Sequence, residues 1–236
     1  MKSSPVTSFS CQGLTCRLVR SSRRTVGISV SADRVVTVRA PQKFPLKLAL
    51  QAVIQHMAWI QKRLAAYAAA AENPLATGTS VTLMGRPFRL EQAEEAGFTD
   101  DTLLLPKNEP NPKRAIAAAC RLLAKEAFSQ RVSHFAPLLG IASEKLGKIT
   151  ISGVNCRWGS CQAAGGDLEF TWKALFCSSR DLDYLTVHEL CHIKHFDHSR
   201  SFWQAVESLI PDWRECRERM REVSRQLAVQ GWRPTQ

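Results

Sequence analysis

Four of the chain's six histidines lie within eleven residues: His188-Glu189-Leu190-Cys191-His192-Ile193-Lys194-His195-Phe196-Asp197-His198. His188 and His192 are four residues apart. On a helix that spacing puts both imidazoles on one face, close enough to hold a single metal ion. Glu189 stands beside them, where a carboxylate can take a proton from water polarised by such an ion. The flanking sequence favours a helix. Leu182, Leu185 and Val187 are apolar, Ser178 or Ser179 can cap the start, and no proline interrupts. The bland reading, a polar helix with incidental histidines, does not account for the third histidine.

A catalytic zinc takes three protein ligands and keeps one position for water. His198 follows His192 by six residues, a spacing also found in metzincins. Those enzymes turn the chain on a glycine where this one has His195, and Met220 lies in a charged helical run rather than a Met-turn. Glu207, on the next predicted helix, is the alternative ligand, as in thermolysin-like enzymes; otherwise it is a surface carboxylate or one that orients the ligands. His198 is preferred because Asp197-His198-Ser199 makes a compact corner between helices. His195 reads as a polar residue at the helix end. Cys191 faces away from the histidine pair and is expected to be a small buried thiol.

Upstream, Arg157-Trp158-Gly159-Ser160 occupies a loop before a strand. Arg157 suits either of two roles: binding a substrate anion or oxyanion through its planar fork, or pinning the loop, with Gly159 permitting a tight turn. Tyr184 shares the His188 face and is expected to point to the core. Phe202 and Trp203 are expected to pack the last helices against the site.

The elements that must position these residues alternate in blocks. Residues 1–10 look frayed. Alternating Val26, Ile28, Val30 and then Val36, Val38 predict antiparallel strands between Leu14 and Val38. Residues 46–72 read as one long helix ending before Asn73-Pro74. Short strands follow in SVTLMG, RPFRLEQ and TLLLP, then a helix from Pro112 to about Phe135. KITISGV and LEFTW read as strands, and helices are expected near 181–196, 201–209 and 211–228. Separate strand and helix blocks predict an α+β fold.

The segments NCRWGSC, DLEFTW and LDYLTVHELCHIKHFDHSRSFWQAVESLIPDWRECRERM together resemble the YgjP-like metallopeptidases. VRSSRRTVGISVSADRVVTVRAP, WIQKR and LMGRPFRL extend the resemblance over nearly the whole chain. It implies a zincin-type, minigluzincin-like core, with zinc held by His188, His192 and His198 and Glu189 as general base. On that view residues 11–108 form a β-rich lobe with a long helix. Residues 109–236 form a zincin-like catalytic lobe with an antiparallel sheet and a metal-binding helix pair. An edge strand at 167–172 would align a peptide by β-addition. Cys191 departs from the alanine common there.

Composition sets the remaining bounds. The chain has 236 residues, 44% hydrophobic and 22% charged, which excludes a mainly disordered or fibrous protein. No apolar run approaches the roughly 18–20 residues of a membrane helix. The start, MKSSPVTSFSCQGLTC, lacks a secretory apolar stretch, so a cytoplasmic location with its eight cysteines mostly reduced is expected. Net charge is 32 − 21 = +11, and residues 1–63 hold eleven Lys/Arg against one acid, Asp33. Three rivals to a zinc peptidase therefore stand. One is a zinc hydrolase of nucleotide phosphoanhydrides. Another is a nucleic-acid-associated, SprT-like protease docking through the basic quarter, with Arg20, Arg23 and Arg24 in an expected hairpin turn. The third, a purely structural zinc, would not need Glu189.

Overall fold

A computed structural model describes residues 6–31, 33–72, 79–154, 156–162 and 164–232. The chain forms two compact units that divide between residues 74 and 75, with Arg225–Gly231 returning to the first. The segment 80–106, which the sequence reading places in the N-terminal lobe, clusters with the second unit.

The first unit opens with β1 (Val6–Cys11), so residues 6–10 are paired strand rather than frayed chain. β2 (Leu14–Ser21), β3 (Gly27–Val30) and β4 (Val36–Pro41) complete a sheet of order β1-β2-β4-β3. β2 and β4 run parallel, whereas the other pairs are antiparallel. Alternation sends Cys16, Leu18, Val36, Val38 and Ala40 to the buried face. Ala49, Val53, Ile60 and Tyr67 of two helices meet them there. Each fully buried Val, Leu or Ile contributes about 1.5–3 kcal/mol. Tyr67 donates from its hydroxyl to the Val30 carbonyl at 3.2 Å.

The expected single helix is two, α1 (Leu46–Gln55) and α2 (Met57–Glu72). The break falls at His56, whose backbone leaves the helical region at φ −101°, ψ 13°. Its ring Nδ1–H and its own amide both donate to the Ala52 carbonyl. A side chain competing for a helix carbonyl favours such a break.

The second unit contains two sheets. β5 (Ser80–Leu83), β6 (Arg86–Ala93), β7 (Gly97–Phe98) and β8 (Thr102–Pro106) pair in the order β5-β6-β8-β7. β9 (Ile149–Ser152), β10 (Gly159–Gln162) and β11 (Asp167–Thr171) pair in the order β10-β11-β9. Between them runs α3 (Pro112–Leu138), opened by Asn111, whose side chain accepts from the Lys113 and Arg114 amides, with Pro112 at the first position. Phe128 of α3 stacks on Phe170 of β11 at 4.0 Å between ring centroids.

The α+β expectation holds, but the sheet beside the histidines is mixed, because β9 and β11 are parallel and only β10 is antiparallel to β11. A connection of fourteen residues between β9 and β11, carrying β10 on the way, returns the chain in the same direction. The strand expected at an edge, 167–172, is therefore central, and β10 and β9 are the edges. The last helices are α4 (Ser179–Cys191), α5 (Arg200–Leu209) and α6 (Trp213–Val229). Among the described residues, no helix is long and apolar enough to cross a membrane.

Candidate metal centre

The position of α4 is fixed first at its N-terminus. Ser178 and Asp181 form a reciprocal capping box, and Met84, in the turn between β5 and β6, bridges to Ser178. The Asp181 side chain, 1% exposed, also receives Arg219 of α6. Leu182 and Leu190 are fully buried beneath the helix. With that face anchored, His188, Glu189 and His192 are presented on the side toward β10.

α4 ends at Cys191, five residues earlier than the periodicity suggests. His192 caps it while keeping helical φ and ψ of −66° and −16°. The chain then tightens through turns: the amides of Ile193 and Lys194 donate to the carbonyls of Leu190 and Cys191. This corner returns His198 to the helix pair. It also puts the His195 carbonyl 3.1 Å from His192 Nδ1, so the proton on Nδ1 is held and Nε2 is free to ligate. His195 thus acts through its backbone.

One ring nitrogen from each of His188, His192 and His198 lies within 4.8 Å of the others. His188 Nε2 and His198 Nε2 are 3.2 Å apart. Tetrahedral Zn–N bonds of about 2.0–2.1 Å require nitrogens about 3.4 Å apart, so the spacing fits a shared zinc. Burial, reinforced by His192 and His198, pushes the His188 imidazole down to about 3. Burial also lowers His192. Neutral imidazoles are the form a metal needs. His188 Nδ1 is buried without a hydrogen-bond partner, so packing rather than a polar contact orients this ring. Phe202 supplies that packing, with its ring centroid 5.0, 4.7 and 4.7 Å from those of His188, His192 and His198. Trp203 stacks on His198 and on Trp213.

Glu189 is 5% exposed, and burial pushes it up to about 8, against a smaller downward pull from Arg157. It lies on the walls of two adjoining cavities of about 580 and 450 Å³, which share Gly159, His188, Glu189 and His198. Gly159 is a strand residue of β10, not the pivot of a tight turn. Arg157 donates from Nη2 to Glu169 of β11 at 2.9 Å and lines neither cavity. The geometry thus gives it the loop-pinning contact. Glu207 pairs with Arg214 on α6 and is not in the histidine cluster, so the alternative third ligand is not assembled. Cys191 is buried at 2% exposure. Tyr184 is buried yet lines the larger cavity, and burial pushes its phenol up to about 12.

Sequence reasoning missed Arg217, Met220 and Arg221 of α6, which line the larger cavity. Their i, i+3, i+4 spacing marks one helix face, but nothing in a charged run says which face meets a cleft. It also missed Cys161 on β10, which lines the smaller cavity.

A family model described as "YgjP-like, metallopeptidase domain" matches residues 24–223. Among solved structures, the chain is similar to the metallopeptidase zymogen of Pyrococcus abyssi abylysin. That match is 24% identical, covers 39% of this chain and 90% of that one, and has a TM-score of 0.37. No curated protein matches.

Proposed function

Because the chain belongs to the YgjP-like metallopeptidase family, we propose that it is a zinc-dependent peptidase, with His188, His192 and His198 holding the metal and Glu189 as general base. The observation that carries this reading is the convergence of three imidazoles beside one buried carboxylate. A bound zinc supplies Lewis acidity, polarising a scissile carbonyl and lowering the pKa of water toward about 7.

The protein's own groups do the rest. Glu189 accepts the proton of the attacking water and delivers it to the leaving nitrogen. Its high proton affinity suits the second role, and a neighbouring cation eases the first. The edge strand β10 carries unpaired backbone groups along the cleft wall, where an extended peptide gains main-chain hydrogen bonds. Phe202 keeps the ligand rings in place while leaving their nitrogens exposed to the cleft. Arg217, exposed and lining the larger cavity, favours substrates with an anionic group. That feature supports the second reading as well, a nucleotide phosphoanhydride substrate.

The test is an activity screen of zinc-loaded protein against peptide and nucleotide libraries, with Glu189→Gln as control. Peptide cleavage that falls by roughly 10²–10⁴-fold in Glu189→Gln at unchanged zinc content is expected. Turnover of nucleotides alone would replace the peptidase by the phosphoanhydride reading, and undiminished turnover in the variant would remove Glu189 from the mechanism.

A further inference from the structure

The N-terminal sheet buries one face and leaves the other open, and the register says what stands on the open face. Ser8, Arg17, Thr37 and Ser29 pair across the four strands as one row. Val19, Arg39 and Gly27 form the next row. Arg17 and Arg39 are both exposed. They lie diagonally on neighbouring strands, about 7–8 Å apart at their backbones. Gly27 has no side chain, and the Arg23 guanidinium occupies the space above it, with Nη2 only 3.3 Å from where a Cβ would be. Arg23 is thereby placed beside Arg39, which pairs with Gly27. Three guanidinium groups therefore share one small area of sheet.

Nothing neutralises them. Among the described residues every ion pair involves residues from Arg89 onward. Arg39 donates to Ser29 Oγ and Arg23 to Thr25 Oγ1, both uncharged partners. Those ion pairs all lie in the second unit, whereas residues 1–63 carry eleven Lys/Arg and one acid. Three like charges held together at the expense of self-repulsion call for a polyanion. The rows add the hydroxyls of Ser8 and Thr37, a type of donor that phosphate oxygens accept from, whereas the Ser29 hydroxyl donates to the Thr37 carbonyl. They add no aromatic side chain, so the face offers no stacking platform for unpaired bases.

We infer that the open face of the β1-β2-β4-β3 sheet docks the phosphate backbone of duplex nucleic acid, without base readout, through Arg17, Arg23 and Arg39. Arg20, which the sequence groups with Arg23 and Arg24, is not part of this surface. It is tied to the Phe44 carbonyl and to Thr7, a structural role.

The test is fluorescence anisotropy of the full chain with a labelled DNA duplex between 50 and 200 mM salt. Neutralising three or four phosphates costs about 40–150-fold in affinity over that range. The double reversal R17E/R39E is expected to weaken binding at 50 mM salt by at least tenfold and to flatten the salt slope by about two. R114E/K145E, an equal change of net charge in the second unit, is expected to leave both unchanged. Circular dichroism of R17E/R39E verifies the fold, and R17S/R39S serves as a second variant if the reversal does not fold. The inference is overturned by absence of duplex binding at 50 mM salt, by equal loss in the two double variants, or by binding to anionic phospholipid vesicles without binding to DNA. The readout is binding, so it stands or falls separately from the peptidase reading.

Discussion

Gly159 on β10 lies against the carboxylate of Glu189 on α4. A Cβ built at position 159 would meet Glu189 Oε1 at 2.8 Å, Cγ at 2.9 Å and Cδ at 3.0 Å. No real side chain tolerates those distances, so any residue other than glycine must displace the proposed base. Gly159→Ala is expected to retain zinc while losing peptidase activity. A displacement of order 1 Å costs roughly 10²-fold in rate. Zinc content by elemental analysis, set beside kcat, checks this. Normal kcat in Gly159→Ala would mean that Glu189 has freedom the packing does not suggest.

The third ligand separates cleanly by mutation. His198 joins His188 and His192 in space, while Glu207 is engaged with Arg214. His198→Ala is expected to weaken zinc binding by more than the roughly 10–100-fold that losing an outer hydrogen-bond partner costs. Glu207→Ala is expected to leave zinc affinity unchanged. Competition with a chromogenic chelator measures both. Loss of zinc from Glu207→Ala with retention in His198→Ala would reverse the assignment.

These residues also show what a sequence can carry. The His188–His192 pair and the Asp197-His198-Ser199 corner were legible because helix periodicity and a short turn fix local geometry within ten residues. The central place of β11 was not, since strand alternation gives the faces of a strand but not its neighbours, and β9 pairs with it at a separation of nineteen residues. The helix break at His56 depends on one ring choosing the Ala52 carbonyl. Gly159 looked like a turn residue because glycine's freedom is visible in sequence, whereas a carboxylate arriving from thirty residues away is not. The sheet face of Arg17 and Arg39 needed the β2–β4 register, which is parallel and skips a strand.

Asp181 bears on the site from about two helical turns away, at the far end of α4. Its Oδ2 accepts from the Ser178 amide and hydroxyl, and its Oδ1 accepts from Arg219 Nε at 2.9 Å. Removing the carboxylate opens the capping box and takes one partner from Arg219, which is 45% exposed and keeps Asp212 at 3.9 Å. Asp181→Ala is expected to cost about 1–3 kcal/mol of stability, the scale of a lost cap plus a lost charge-assisted hydrogen bond. Denaturant unfolding of the zinc-free protein measures it, with Arg219→Ala expected to reproduce part of the loss. A change below ~1 kcal/mol would mean that the pair is not what anchors α4.

Glu189 makes the metal-free protein less stable than it need be, and pH reveals it. Burial raises its folded pKa to about 8, from 4.5. Between those values the folded state holds a proton that the unfolded state has released, so stability falls as pH rises. His188 behaves oppositely. With a folded value of about 3 against 6.5, its contribution rises with pH across that lower window, and it is present in wild type and Glu189→Gln alike. The difference between the two proteins therefore isolates Glu189. After zinc is stripped with chelator, Glu189→Gln is expected to gain stability over wild type as pH rises from about 4.5 to 8, and to hold that gain above. Thermal melts at pH 5 and pH 8 measure it. A difference that does not change between the two would show that the carboxylate is solvated in the metal-free protein, and the buried proton on Glu189 would have to be abandoned.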